Sequence, residues 1–456
     1  MKLWTHQQTA KDFCADKPGA MLAMDMGTGK TSVALSIVAD LEAGSTALVL
    51  CPKAVIGVWQ AEVEKFFKDK IRVIALDRST GLTAAKKAKH LRSQLEYLPG
   101  VTLVVVNYET ARQPALRKLI NGRTWELGIL DESHKIKAPG GATSRMCATL
   151  REKCLKRICL TGTPTPHSPL DWYAQMRYLD TRALGTTFTR FRSDYAIMGG
   201  YEGRQVVSFK NLDQLAERLA PYAFQVKSDD VLDLPTFTHT TIPVELGTAA
   251  RNAYGSLEHD FVAMVGDGVV TAKNALSKLL RLQQCTGGFL PVEGQEFAER
   301  LGSEKADALR DLLEGMGKEP VVVFCRFLND LSEVKRVSDA YCELSGRANE
   351  LKEWKESGGV LGVHIQAGGA GVDLTKAKYA VYYSLGFSLG EYEQSLKRVH
   401  RPGQTRPVSY YHLIATGTVD EKLYNALSKR REVVAEVLDS MERRTHAEDT
   451  HTVRSR

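Results

Sequence analysis

Two short stretches bring together residue types that handle phosphate. The first is Met24-Asp25-Met26-Gly27-Thr28-Gly29-Lys30-Thr31, which follows an apolar run and opens a segment whose Ala34, Ile37, Val38 and Leu41 fall at helical spacing. Gly27 and Gly29, with Thr28 between them, let successive backbone N–H groups turn inward on an anion. Lys30 would bring a point charge to the β and γ phosphates, and the Thr31 hydroxyl would ligate Mg²⁺. The strict pattern asks for glycine where Met24 stands, so the match is to the GxGKT core in a strand-to-helix setting. The second stretch, Ile129-Leu130-Asp131-Glu132-Ser133-His134, ends an apolar run on two adjacent carboxylates. Asp131 would hold the metal through its water shell. Glu132, pointing the other way, would orient or deprotonate the water that attacks the γ phosphate. Together the stretches predict ATP and Mg²⁺ as ligands and hydrolysis as the reaction.

Elements able to position these residues can be read along the chain. Short apolar or β-branched runs at Ala20–Met24, Ala47–Cys51, Val101–Val106, Leu127–Leu130 and Arg157–Leu160 alternate with helical patterns, as buried parallel strands with crossover helices do. A second set lies at Val321–Cys325, Val360–Ile365, Tyr379–Ser384 and Val408–Leu413. The expected architecture is α/β, with two lobes in tandem joined near residue 234, where Asp233-Leu234-Pro235 marks an extended piece. Lobe 1 would span 1–234 and lobe 2 235–456, with a helical insertion at about 245–300 and a frayed polar tail from Met441.

Composition sets outer limits. At 456 residues with 43% hydrophobic and 25% charged residues, the chain is too long for one core and ordinary for a globular protein. The 61 Lys+Arg against 54 Asp+Glu permit a polyanionic partner without demanding one. Eight cysteines, at 14, 51, 147, 154, 159, 285, 325 and 342, have no close zinc-type spacing, which suits unpaired thiols in a reducing cytoplasm. The N-terminus runs straight into polar residues and no apolar run is long enough to span a membrane.

With Leu160-Thr161-Gly162-Thr163-Pro164 added, the motif order resembles the first lobe of a superfamily 2 helicase, and more narrowly the Swi/Snf-type ATPases. Ile365-Gln366-Ala367-Gly368-Gly369-Ala370-Gly371-Val372-Asp373-Leu374 is similar to the family motif that lies against nucleotide and DNA. Gln394, Arg398, Arg401, Gly403 and Gln404 match its arginine-finger motif position by position. Shorter similarities lie at Asp229–Pro235, Ser303-Glu304-Lys305 and Gly417–Glu421, so the resemblance runs from residue 3 to about 440.

The resemblance implies two RecA-like lobes with helical insertions between them, and a DNA-stimulated ATPase acting as a translocase on double-stranded DNA. It assigns Gln7, Gly371 and Asp373 to the nucleotide beside the loop residues, and Arg398 and Arg401 to the transferred phosphoryl group. Lys30, Asp131, Glu132, Arg398 and Arg401 become the catalytic set. His134, Thr161, Thr163 and Gln394 would couple hydrolysis to movement. Segments around Pro52, Trp59 and Glu62, and Asn107-Tyr108-Glu109, are similar to DNA-tracking motifs, with Trp59 by itself reading as core. Two departures touch coupling regions: Tyr383-Ser384 stands where the family usually has Trp-Asn, and Thr165-Pro166-His167 replaces the usual continuation after Thr-Pro. A bare motor core of this size resembles bacterial and phage versions.

Two other outputs stay open. A strand-separating helicase, acting on single-stranded or branched DNA or on RNA, would need a wedge within about 170–300. A non-enzymatic scaffold on nucleic acid would be expected to have lost Lys30, the carboxylates or the arginines, all of which are present. The basic clusters Lys86-Lys87-Lys89-Arg92 and Arg112-Arg117-Lys118-Arg123 read as solvated helix faces or as flanks of a phosphate path.

Overall fold

A computed structural model describes residues 2–76, 83–98, 100–166, 168–200, 205–266, 272–291, 298–366 and 372–429. Gly371 and the tail from Met441 lie outside them. The chain divides into two compact units that meet in sequence between Asp233 and Leu234.

In the first unit, β1 (Gly19–Met24), β2 (Thr46–Cys51), β3 (Ile71–Leu76), β4 (Val101–Asn107), β5 (Trp125–Asp131) and β6 (Cys154–Thr161) are followed by an antiparallel pair, β7 (Ala196–Gly199) and β8 (Gln205–Phe209), and then by β9 (Ala223–Val226). All except β7 and β8 join one parallel sheet in the order β3-β4-β2-β5-β6-β1-β9. β1, β2 and β4 are buried along their whole length, as continuous apolar runs covered on both faces must be. Trp125 of β5 and Trp172, Tyr173 and Tyr178 of the helix Trp172–Leu179 belong to one buried cluster.

The second unit opens with β10 (Phe237–Val244) and the helices Thr248–Gly266 and Ala272–Thr286, then a small antiparallel pair, β11 (Phe289–Leu290) and β12 (Glu299–Arg300). β13 (Val321–Cys325), β14 (Tyr341–Leu344), β15 (Val360–His364), β16 (Tyr379–Tyr382) and β17 (Val408–Ala415) complete a parallel sheet with the order β10-β17-β16-β13-β15-β14. The two-lobed α/β architecture is therefore as expected. The sequence reading missed β3, β9, β10 and β14, and these are the two edge strands of each sheet. An edge strand keeps one side in water and loses the continuous apolar run: β10 exposes Phe237, Thr238, Thr240, Thr241 and Pro243, and only an edge tolerates that proline.

Motifs far apart in sequence meet inside the second unit. Lys305 Nζ lies 2.5 Å from Asp420 Oδ2 with both side chains buried, and it also donates to the Tyr383 carbonyl at 3.1 Å. Thr286 Oγ1 donates to the other Asp420 oxygen at 3.1 Å. The departure at Tyr383-Ser384 has its own local partners: Ser384 Oγ donates to Asp330 Oδ2 at 2.5 Å and accepts from the Arg326 amide at 2.7 Å, while the Tyr383 hydroxyl donates to the Gly287 carbonyl at 3.2 Å. Of the eight thiols, all but the half-buried Cys342 are buried.

Burial pushes the Asp330 carboxyl up from 3.8 to about 6, against hydrogen bonds from Ser384 and the Phe327 amide and the charge of Lys305. A carboxyl that holds its proton more tightly folded than unfolded adds stability at low pH. That stability is lost as pH rises from about 4 through about 6. At about 1.4 kcal/mol per pH unit, ionising Asp330 costs up to about 3 kcal/mol. Asp330→Asn keeps an acceptor for Ser384 and Phe327 and removes the charge. Urea unfolding should therefore show the variant more stable than wild type at about pH 7.5 and gaining little at about pH 4.5. A destabilisation of equal size at both pH values would contradict the assignment.

Candidate active site

Strand order brings the chemistry together in the first unit. β6 lies between β5 and β1, with Leu160 opposite Asp131 and Thr161 opposite Ala23. The carboxylate pair, the Thr161–Pro164 loop and the glycine-rich loop therefore leave the C-terminal ends of three neighbouring parallel strands. This is the edge at which open α/β sheets take ligands.

The glycine-rich loop has the backbone an anion cradle needs. Gly27 and Gly29 sit at φ 85° and 88°, and the helix Lys30–Val38 starts directly after them, with Thr31 half-buried in its first turn. Within the loop, Lys30 Nζ donates to the carbonyls of Met24 at 2.8 Å and Asp25 at 3.0 Å, and Thr28 Oγ1 donates to the Asp25 carbonyl at 2.7 Å. Gln7, named from position alone, is buried against this loop. Its Nε2 donates to the Thr28 carbonyl at 3.1 Å and its Oε1 accepts from the Trp4 amide at 3.0 Å. A Cβ on Gly29 would collide with the Gln7 carboxamide.

At the end of β5, Asp131 is buried, Oδ2 accepting from Trp59 Nε1 at 2.9 Å and Oδ1 from the Glu132 amide at 2.9 Å. Burial, and then the charge of Glu132, push its carboxyl up to about 6, opposed by the Trp59 bond and the Lys30 charge. Glu132 adopts the left-handed backbone at φ 50°. Its Oε2 lies 3.3 Å from His134 Nδ1, which is 3.2 Å from Thr161 Oγ1, and Thr161 Oγ1 accepts from the Thr163 amide at 3.0 Å. Three coupling candidates thus form one chain of contacts running to Glu132. Two adjacent buried carboxylates beside a loop hydroxyl fit a divalent cation that takes its other ligands from phosphates and water. Among the described residues no three His, Cys, Asp or Glu side chains could hold a metal by themselves.

In the second unit, Gln394 and Arg398 lie one turn apart on the helix Leu389–Val399, with Arg398 buried. The segment after the undescribed Gly371 is tied to them. The Leu374 amide donates to the Arg398 carbonyl at 3.1 Å, Arg401 Nη1 donates to the Val372 carbonyl at 3.3 Å, and Gln404 Nε2 donates to the carbonyls of Thr375 at 3.1 Å and Ala377 at 2.7 Å. Asp373 accepts from the Thr375 amide and hydroxyl and from Lys355. These bonds outweigh the effect of burial, which acts to raise its carboxyl, and hold it below the ordinary range.

Several side chains at the first-unit site hold roles that the sequence reading did not assign to them. Trp59 is core, as its type suggests, yet its indole also grips Asp131, and the Tyr108 hydroxyl donates to the Asp131 carbonyl at 2.8 Å. Asp25 Oδ2 accepts from both the amide and hydroxyl of Ser228, at 3.1 and 3.0 Å. Gln175 reaches Ser133 from a helix that reads as plain core. Of the first basic cluster, Lys86, Lys89 and Arg92 are exposed and Lys87 is buried.

Gly29→Ala tests the packing of Gln7 on the loop. It should destabilise by about 1–3 kcal/mol in urea unfolding, from the left-handed backbone and the displaced carboxamide. Adding Gln7→Ala removes the clash, so the double variant should be less destabilised than the sum of the two singles. Strict additivity would place Gln7 elsewhere.

The SNF2-related domain family matches residues 3–287, more than half of the chain, and the helicase conserved C-terminal domain family matches residues 304–403. Protein p41 of Acyrthosiphon pisum secondary endosymbiont phage 1 is 25% identical over 445 residues, covering 92% of this chain and 94% of that protein. The DNA annealing helicase and endonuclease ZRANB3 of Bos taurus is 24% identical over 475 residues, covering 98% of this chain; the chain spans only 42% of that relative's length. Among solved structures, a Sulfolobus solfataricus SWI2/SNF2 ATPase core in complex with dsDNA is 22% identical, with a TM-score of 0.44 and coverage of 96% of this chain and 93% of that one. On the match over residues 3–287, the chain belongs to the SNF2-related family of helicase-type ATPases.

Proposed function

We propose that the protein is an ATP-driven translocase on double-stranded DNA. The observation that carries the reading is the contact chain from Glu132 through His134 and Thr161 to Thr163, set beside the phosphate loop at the ends of β5, β6 and β1. It places a residue suited to activating water within contact distance of a histidine that reaches the neighbouring loop. That a relative is named as a DNA annealing helicase favours DNA as the polyanion.

In this mechanism Lys30 leaves the Met24 and Asp25 carbonyls for the phosphates, and Gln7 reads the adenine. Asp131 and Thr31 would hold Mg²⁺, which would offset phosphate charge. Glu132 accepts a proton from the attacking water. Arg398 and Arg401 would stabilise charge on the transferred group. Gly371 and Asp373 line the nucleotide, and Gln394 joins His134, Thr161 and Thr163 in coupling turnover to a shift of grip along the phosphate backbone. The setting is a reducing cytoplasm of a prokaryotic or phage-infected cell.

Strand separation has one specific observation in its favour. The antiparallel pair β7 and β8, within the stretch where a wedge was sought, exposes Ile197, Val206 and Val207. Steady-state ATPase rates with blunt duplex, forked DNA, single strands or RNA at several salt concentrations separate the two readings. Blunt duplex should stimulate most, with a steep fall in affinity as salt rises. Glu132→Gln should lower kcat by at least about a hundredfold. Wild-type turnover in that variant sinks the mechanism, and stimulation only by forks, single strands or RNA replaces translocation with strand separation.

A further inference from the structure

Gln175 is fully buried on the helix Trp172–Leu179, among Trp172, Tyr173, Ala174, Met176, Tyr178 and Leu179, which are also buried. An apolar side chain would suit such a place. A carboxamide there costs several kcal/mol unless it is hydrogen-bonded, on the order of 1–3 in proteins. Its bonds are therefore informative. Oε1 accepts from Ser133 Oγ at 2.7 Å, while Nε2 donates to the Pro164 carbonyl at 2.6 Å and to the Asp171 carbonyl at 3.0 Å. Only the last is a bond that the helix itself could explain, since Asp171 lies four residues back. The other two reach the Asp131–His134 turn and the Thr161–Pro164 loop.

Ser133 directly follows Glu132, whose left-handed backbone persists only where neighbours over-determine it. One bridge between turn and loop runs over His134 and Thr161 on one side. Gln175 makes a second, from Ser133 to Pro164, so that turn and loop are pinned at two points and cannot pivot about a single contact.

We propose that Gln175 is a positioning residue for hydrolysis. Its carboxamide holds the Glu132 turn in register with the Thr161–Pro164 loop, and so fixes where the Glu132 carboxylate stands relative to bound phosphate. The proposal rests on the hydrolytic reading above. It also predicts a particular kinetic signature, because neither Gln175 nor Ser133 is part of the phosphate loop: loss should fall on kcat, with KM for ATP little changed.

The test compares wild type, Gln175→Leu, Ser133→Ala and the double variant in ATP hydrolysis with and without the stimulating nucleic acid, alongside their thermal unfolding. Gln175→Leu nearly conserves volume. It should stay folded and lose between about tenfold and a hundredfold in kcat with KM within about twofold. Ser133→Ala should lose less in the same direction. Because the two residues act through one bridge, the double variant should be no slower than Gln175→Leu. Full kcat in a folded Gln175→Leu, multiplicative losses in the double variant, or equal changes in kcat and KM would each overturn the proposal. If Gln175→Leu does not fold, Ser133→Ala carries the test, and wild-type kcat in it overturns the proposal. Wild-type protein that hydrolyses no ATP on any nucleic acid would instead remove the functional reading itself, and the proposal with it.

Discussion

Everything at the candidate site follows from placing two adjacent carboxylates in a buried turn at the end of β5. Like charges side by side in a poorly solvated place repel, and the Asp131 carboxyl is correspondingly hard to ionise. On Asp131 the surroundings answer with the Trp59 indole and the Glu132 amide as donors and with the charge of Lys30, and His134 lies beside Glu132. A neighbouring arginine would neutralise the pair and remove its reason to bind a cation. The indole and amide donors orient Asp131 without bringing a charge of their own.

That turn needs support from elements distant in sequence, which explains why the parallel topology matters. β6 enters between β5 and β1 and carries Thr161 to the level of the loops, and the helix after it carries Gln175. On the far side of β1, β9 pairs in parallel and brings Ser228 to Asp25, five residues before the chain passes into the second unit. The phosphate loop is thus fastened to the segment that leads out of its own lobe.

Legibility in the sequence followed burial and chemistry. Central strands were readable because a strand covered on both faces must be continuously apolar: β1, β2, β4, β5, β6, β13, β15, β16 and β17 all were. The four edge strands were not, since half-exposed runs such as Ile71–Leu76 or Tyr341–Leu344 look like any amphipathic piece. At the site, residues with reactive side chains in a dense motif were readable, and Gln7 emerged next to the loop although only its position spoke for it. Residues that act by holding others were not. Trp59 and Gln175 sit among core residues, and nothing in their immediate sequence distinguishes an indole or carboxamide used for bonding from one used for packing.

The cations show how motion and rigidity are divided. Lys30 and Arg401, the groups proposed to meet phosphate, rest on backbone carbonyls of Met24, Asp25 and Val372. Bonds of this kind are worth about 1.5–3 kcal/mol each. A phosphate oxygen, being charged, is a stronger acceptor than a peptide carbonyl and can displace it. Lys305 is placed differently: its partner is the buried Asp420 carboxylate, and separating such a pair costs about 3–5 kcal/mol. Asp420 is already a charged acceptor, so a phosphate offers Lys305 no gain in exchange, and Lys305 serves to hold the second lobe together. A lysine resting on carbonyls at the mouth of a glycine loop is poised to change partners, whereas one buried on a carboxylate is structural. The distinction comes from the charge of the resting partner, and a motif match alone does not supply it.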